Sequence, residues 1–176
     1  MNDAVKLPWQ ASGRRFWWVA VLVVALDQLT KMWIERTMML GDGFTVLPVF
    51  NIVRAHNPGA AFSFLAGENG WQRWFFSGLA VAVSIGIAFW LRRVAIATHA
   101  WLAAGLALIL GGAIGNVIDR FEHGFVIDFV QLHWGTHYFP AFNIADSGIS
   151  IGAVVVVLDG IREWRRERAS KAGAPQ

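Results

Sequence analysis

The stretch AWLAAGLALILGGAIGNVI, Ala100–Ile118, decides the fold. It holds no charge, and Asn116 is its one polar side chain. A run of about 20 apolar residues crosses the hydrocarbon core of a bilayer as a helix. Gly111 and Gly115 lie four apart, so they share a helix face on which a second helix can approach closely. Working outward, three more apolar segments appear: Phe16–Met39, Trp74–Leu91 and Asn143–Ile161. The last is long enough to span only if Asp146 lies inside its first turns.

The whole composition agrees with four spans. Of 176 residues, 56% are hydrophobic and 15% are charged, against about 25% charge in an ordinary soluble domain. Mean hydropathy is +0.46. Ten tryptophans stand beside one tyrosine, and tryptophan favours the membrane–water interface. With no cysteine there is no disulfide framework, thiolate nucleophile or Cys-ligated metal. No cleavable leader is expected, because the first apolar run lacks a small-x-small site before its charges.

Charge placement orients the spans. Lys6, Arg14 and Arg15 precede the first, Arg92 and Arg93 join the second to the third, and Arg162, Arg165, Arg166, Arg168 and Lys171 follow the fourth. All ten fall on one side of a four-span arrangement, which the positive-inside rule makes cytoplasmic. Both termini are then expected inside, and loops 41–72 and 120–142 outside. The basic tail from Arg162, with Gly and Pro near its end, reads as frayed. Phe44–Arg54, interrupted by Pro48, reads as two short strands. Asn57-Pro58-Gly59 is a turn signal, and Ala60–Leu65 is apolar again. The expected architecture is an all-α membrane protein, a single domain of four transmembrane helices with a small extracytoplasmic β-element, Trp71 and Trp74 marking the outer interface.

Two aspartates stand where these segments meet water on the outer side: Asp128 in VIDF and Asp146 in NIADS. Carboxylates at membrane depth are costly and are kept where they face a bundle interior or a wet cavity. Two that approach one point can share a proton, so that one serves as acid and the other as base. Plainer readings exist. Asp128 can be a hydrogen-bonded loop carboxylate, and Asp146 a helix N-terminal acid favoured by the macrodipole. Asn143, three residues before Asp146, is placed to cap that helix. Asn116, Asp119 and Arg120 cluster at the outer end of the third span. Asp119 could itself belong to a carboxylate pair, but an Asp–Arg or Asp–amide structural site is favoured, since Arg120 is adjacent and helix ends need polar partners. Asp27 and Lys31, four apart, share a face and read as a structural ion pair. His133 and His137 are four apart, but Gly135 lies between them, so a helical zinc pair is not expected. Ser63, Ser147 and Ser150 lack a clear base and oxyanion arrangement.

Five motifs in order, DQLTK (Asp27–Lys31), NPGAAF (Asn57–Phe62), GGAIGNVIDR (Gly111–Arg120), VIDF (Val126–Phe129) and FNIADS (Phe142–Ser147), resemble those of the bacterial lipoprotein signal peptidases (signal peptidase II). The resemblance covers about residues 16–161. It implies an aspartyl endopeptidase of the inner membrane that removes signal peptides from prolipoproteins, cutting before a Cys carrying a diacylglyceryl group. It also implies catalytic roles for Asp128 and Asp146, a substrate site lined by Asn57, Asn116, Arg120 and Asn143, and supporting roles for Asp27, Lys31 and Asp119. No metal or other cofactor is expected. The partners would be the modified prolipoproteins and membrane lipid, with no nucleic acid, and the chain would work as a monomer. The rival reading is a proton- or cation-conducting bundle using the same carboxylates. It requires polar groups through the full span, and the second segment supplies almost none.

Overall fold

In the computed structural model, which describes residues 7–59 and 71–172, four helices carry a small sheet at one end. The helices are α1 (Trp17–Thr37), α2 (Trp71–Leu91), α3 (Ile96–Glu122) and α4 (Ile144–Ala172), and each is long and apolar enough to cross a membrane. The chain has the architecture of a multi-pass membrane protein. The strands are β1 (Gly43–Leu47), β2 (Phe50–Asn57), β3 (Val126–Trp134) and β4 (His137–Tyr138), antiparallel in the order β1-β2-β3-β4. The Ala60–Leu65 run lies outside the described residues.

The outer helices α1, α2 and α4 each bury a narrow stripe and leave a wide apolar face outward. On α1 the buried residues are Ala20, Val23, Asp27, Lys31 and Ile34, a spacing of three and four that defines one face. Trp18, Val21, Leu22, Leu29 and Trp33 point away and are exposed, as lipid-facing side chains should be. The helix gives way at Met38 to extended backbone, and Asp42 accepts the Met39 N–H at 2.7 Å to start the turn into β1.

α3 is the central helix and packs against the other three. Its glycines explain how. A Cβ on Gly111 would sit 2.6 Å from the Ala20 carbonyl oxygen of α1, and one on Gly115 would sit 2.6 Å from Asp27 Oδ2. On the adjoining face, a Cβ on Gly112 would collide with the Ala145 carbonyl, and one on Gly105 would come within 2.9 Å of the Gly152 carbonyl on α4. Small residues thus let three backbones meet without a hydrophobic driving force between them.

The boundaries depart from the sequence reading in four places. Regular α3 begins after a break at His99 (φ −126°, ψ 44°) and runs a turn beyond Ile118, so Arg120 belongs to the helix and not to the loop. The expected loop 120–142 contains two strands, because the apolar run Val126–Val130 pairs with β2, placing Ala55 opposite Asp128 and Asn57 opposite Val126. The sheet therefore has four strands and not two. The basic tail is helical as far as Ala172. Arg166 reaches Glu163 at 3.8 Å and the Arg168 guanidinium lies 4.3 Å from the Trp164 ring centre, local contacts of the kind that sustain an exposed helix.

β3 is the link between sheet and bundle. Its first four residues, Val126–Phe129, are buried and the rest emerge. Ile127 and Phe129 pack with Ile34 of α1 in a small apolar cluster. Side chains alternate along a strand, so Asp128, between them, projects to the opposite face.

Candidate active site

The polar groups of the site come from three helices, α1, α3 and α4, and from the strands β2 and β3. At its base lies Lys31, 2% exposed, with three oxygen atoms around its ammonium, two of them on carboxylates. It donates to Asp27 Oδ2 at 2.7 Å and to Asn116 Oδ1 at 3.2 Å, and forms an ion pair with Asp119 Oδ2 at 2.8 Å. The cation partner of Asp119 is therefore Lys31 from α1 and not the adjacent Arg120. Asp27 Oδ1 accepts the Ala145 N–H at 2.9 Å, and Asp119 Oδ2 accepts the Ile127 N–H at 3.1 Å. Gln28 completes the set, donating to Asp119 Oδ1 at 2.9 Å and to the Gly115 carbonyl at 3.3 Å. Such a network is stable in a low-dielectric interior because every member is satisfied.

Above this base stand the two candidate carboxylates. Asn143 joins them. Its Nδ2 donates to Asp128 Oδ1 at 2.8 Å, and its backbone N–H donates to Asp146 Oδ2 at 3.3 Å. In return Asn143 Oδ1 accepts the Asp146 N–H at 2.9 Å. This is a reciprocal cap of the kind that starts a helix, so the structural reading of Asn143 and Asp146 holds, and the same two side chains also face the site. Asn116 Nδ2 donates to Asp146 Oδ1 at 2.7 Å, and Asn57 Nδ2 donates to Asp128 Oδ2 at 3.1 Å. Asn57 is held by an Asx turn in which its Oδ1 accepts the Gly59 N–H at 3.0 Å, with Gly59 at φ 106°.

The two carboxylates differ in setting. Asp128 is 2% exposed and Asp146 is half-buried. Burial, reinforced by the neighbouring Asp146 charge, pushes the Asp128 carboxyl up to about 7, while the Asn57 and Asn143 amides and Lys31 pull the other way. A cavity of about 870 Å³ opens beside them. Asp146, Asn57 and Arg120 stand on its wall with Phe76, Phe139 and Phe142, a mixture of a few polar groups in an apolar lining. Arg120 donates to the Asn116 carbonyl at 3.2 Å, and its Nε is buried with no partner among the described residues. That guanidinium has donors to offer a bound acceptor.

All nine residues singled out in the sequence thus lie in one continuous cluster: Asp128, Asp146, Asn57, Asn116, Arg120 and Asn143 around the cavity or next to it, and Asp27, Lys31 and Asp119 beneath. Sequence reasoning missed Gln28, although a second polar side chain beside Asp27 in an apolar helix was a visible signal. It also missed Phe76 and Phe139, which carry no local signal at all. Among the described residues no group of His, Asp and Glu has the arrangement of a metal site.

A helical membrane bundle with an inward-facing carboxylate pair beside a half-apolar cavity defines a class of membrane-embedded enzyme. The chain matches the family model "Signal peptidase (SPase) II" over residues 19–162 and belongs to that family of proteases. It is 47% identical over 152 residues to a lipoprotein signal peptidase of Shewanella halifaxensis, covering 86% of this chain and 88% of the relative. It is 48% identical over 153 residues to one of Vibrio cholerae, covering 86% and 89%. A bacterial membrane enzyme solved by the in meso method at 2.3 Å superposes with a TM-score of 0.72 at 34% identity, covering 82% of this chain and 86% of that one.

Proposed function

We propose that the chain is an aspartyl endopeptidase of the bacterial inner membrane that removes the signal peptide of prolipoproteins, cutting before the diacylglyceryl-modified Cys. Prolipoprotein processing follows from the family. The aspartyl mechanism is supported by one observation above the others: Asn143 holds Asp128 and Asp146 together at the edge of a cavity large enough for a peptide segment.

The asymmetry of the pair supports a division of labour. Asp128, pushed up to about 7, is still protonated in a large fraction of molecules near neutrality. Asp146, more open to the cavity, is the carboxylate that takes a proton from water as the water oxygen attacks the scissile carbonyl carbon. Asp128 donates a hydrogen bond to the carbonyl oxygen as negative charge develops there. The tetrahedral intermediate then collapses, the C–N bond breaks, and the leaving amine receives the proton held on Asp146. Arg120, Asn57 and Asn116 position the peptide and the carboxylates. An apolar wall of Phe76, Phe139 and Phe142 suits a substrate that is part helix and part lipid. Orientation by the positive-inside rule sets the sheet and this cavity on the outer face, with both termini in the cytoplasm.

A conducting bundle is not supported. The buried charges gather at the sheet end, and the other half of the core is Ala20, Leu91, Ala103, Leu106 and Leu110.

The test is cleavage by the purified full-length chain. A prolipoprotein already carrying diacylglycerol should yield a product beginning at the modified Cys, and its unmodified precursor should remain uncut. Chelators should have no effect. Failure to cleave the modified substrate, or chelator inhibition reversed by zinc, would overturn the reading.

A further inference from the structure

A second groove runs along the outside of the bundle at the opposite end from the carboxylates. Its deep part, about 600 Å³, lies between α1 and α2 over the α3 side chains Leu110 and Ile114, with Val21 and Val24 on its wall. Its mouth, about 440 Å³, is lined by Arg14, Arg92 and Trp9. The two parts share Trp17, Ile85 and Ala88, so they are continuous. The mouth is firmly built: Gly13 donates to the Val94 carbonyl at 2.8 Å and Ser12 bridges to Ala95, tying the start of α1 to the end of α2.

The chemistry of this groove is that of an amphiphile with an anionic head. Among the described residues neither Arg14 nor Arg92 has a carboxylate partner. Arg14 spends two of its N–H groups on Ser12 Oγ and the Leu7 carbonyl, which fixes its guanidinium; among the described residues its other donors make no hydrogen bond. A fixed guanidinium matches a phosphate better than a loose ammonium does. Deeper in, Ser84 Oγ is buried without a partner among the described residues, the lone hydroxyl in an otherwise apolar wall. Basic pockets between membrane helices are suited to acidic head groups.

We infer that this groove binds an anionic glycerophospholipid of the leaflet at the Arg14–Arg92 end, phosphate at the two arginines and one acyl chain between α1 and α2. The inference is independent of the proposed protease chemistry, because the groove and the cavity beside the carboxylates share no lining residue.

Native mass spectrometry of the full chain, released from detergent with equal amounts of phosphatidylglycerol and phosphatidylcholine of identical acyl chains, tests it. Phosphatidylglycerol should be retained roughly thirtyfold better, the factor expected of two basic side chains at a membrane surface. Arg14→Gln with Arg92→Gln should abolish that preference, and Arg165→Gln with Arg166→Gln on the α4 tail should leave it intact. Ala88→Trp fills the groove while keeping both arginines, and should cut phosphatidylglycerol retention about tenfold, which decides the matter even if the arginine variant does not fold. Equal retention of both lipids, a preference that survives loss of the two arginines, unchanged retention by Ala88→Trp, or a second copy of the chain covering the groove would each overturn it.

Discussion

Asp119 accepts the backbone N–H of Ile127, the residue immediately before Asp128, at 3.1 Å. Asp27 does the same for Ala145, immediately before Asp146, at 2.9 Å. The two supporting carboxylates thus each grip the peptide that presents a candidate catalytic one, and Lys31 holds both grips at once. Lys31→Met should leave two buried carboxylates facing each other without their cation. The expected cost is about 3–5 kcal/mol, read as a large fall in the thermal midpoint in detergent. A midpoint equal to that of the wild type would refute the structural role.

The carboxylate pair should behave as one unit. Asp128→Asn and Asp146→Asn should each lower kcat/KM for prolipoprotein cleavage by roughly 10³-fold or more, with folded protein still recovered. The double variant should be little worse than either single one. Independent, multiplicative losses would show that the two side chains do not act together.

The pH dependence follows from Asp128. Its proton is needed for the acid role, so kcat/KM should fall as pH rises through about 7. The stability sign runs the same way. A carboxyl whose folded-state value is raised contributes stability that is fully present below its ordinary value of 3.8 and is lost as pH rises through about 7. Measured against Asp128→Asn, which does not titrate in that window, wild-type thermal stability should decline across it. A flat difference would remove the assignment.

Close helix contact should make two glycine substitutions diverge. Gly111→Ala would bring a Cβ to 2.6 Å from the Ala20 carbonyl, whereas Gly160→Ala meets nothing within 4 Å. The first should destabilise by about 1–3 kcal/mol. The second should be neutral or stabilise by roughly 0.5–1 kcal/mol, as alanine does in a helix. Equal midpoints for the two proteins would contradict the close α1–α3 crossing.

Topology is open to direct test. Reporter fusions after Ala95 and Glu163 should report the cytoplasm, and a fusion after Gly135 the opposite side. An external signal at Ala95 would invert the proposed orientation.

Much of this molecule is written locally. A contiguous apolar run such as Ala100–Ile118 must be a helix in lipid, because every backbone polar group has to be satisfied within the segment. The four spans, the two hairpin strands around Pro48 and the polar motifs at the span ends could therefore be read directly from the chain. So could the Asp27–Lys31 pair, since residues four apart on one helix are neighbours by geometry. The strand character of Phe125–Val130 was obscured because a short apolar run is equally compatible with loop, strand or helix. Its partner β2 lies about seventy residues earlier in the chain.

The sequence by itself determined that the chain carries four segments long and apolar enough to cross a membrane, which residues carry charge there, and that those residues cluster toward one end. Hydropathy and residue spacing are local properties, and no packing is needed to evaluate them. Only the tertiary structure decided that Lys31 pairs with Asp119, that Asn143 bridges Asp128 and Asp146, and that two arginines share a mouth with an apolar groove. Those relationships join residues on different helices and strands. Their distances are set by how closely α1, α3 and α4 cross at Gly111, Gly112 and Gly115 and by the seating of β3 against Ile34, and neither is encoded within a single segment.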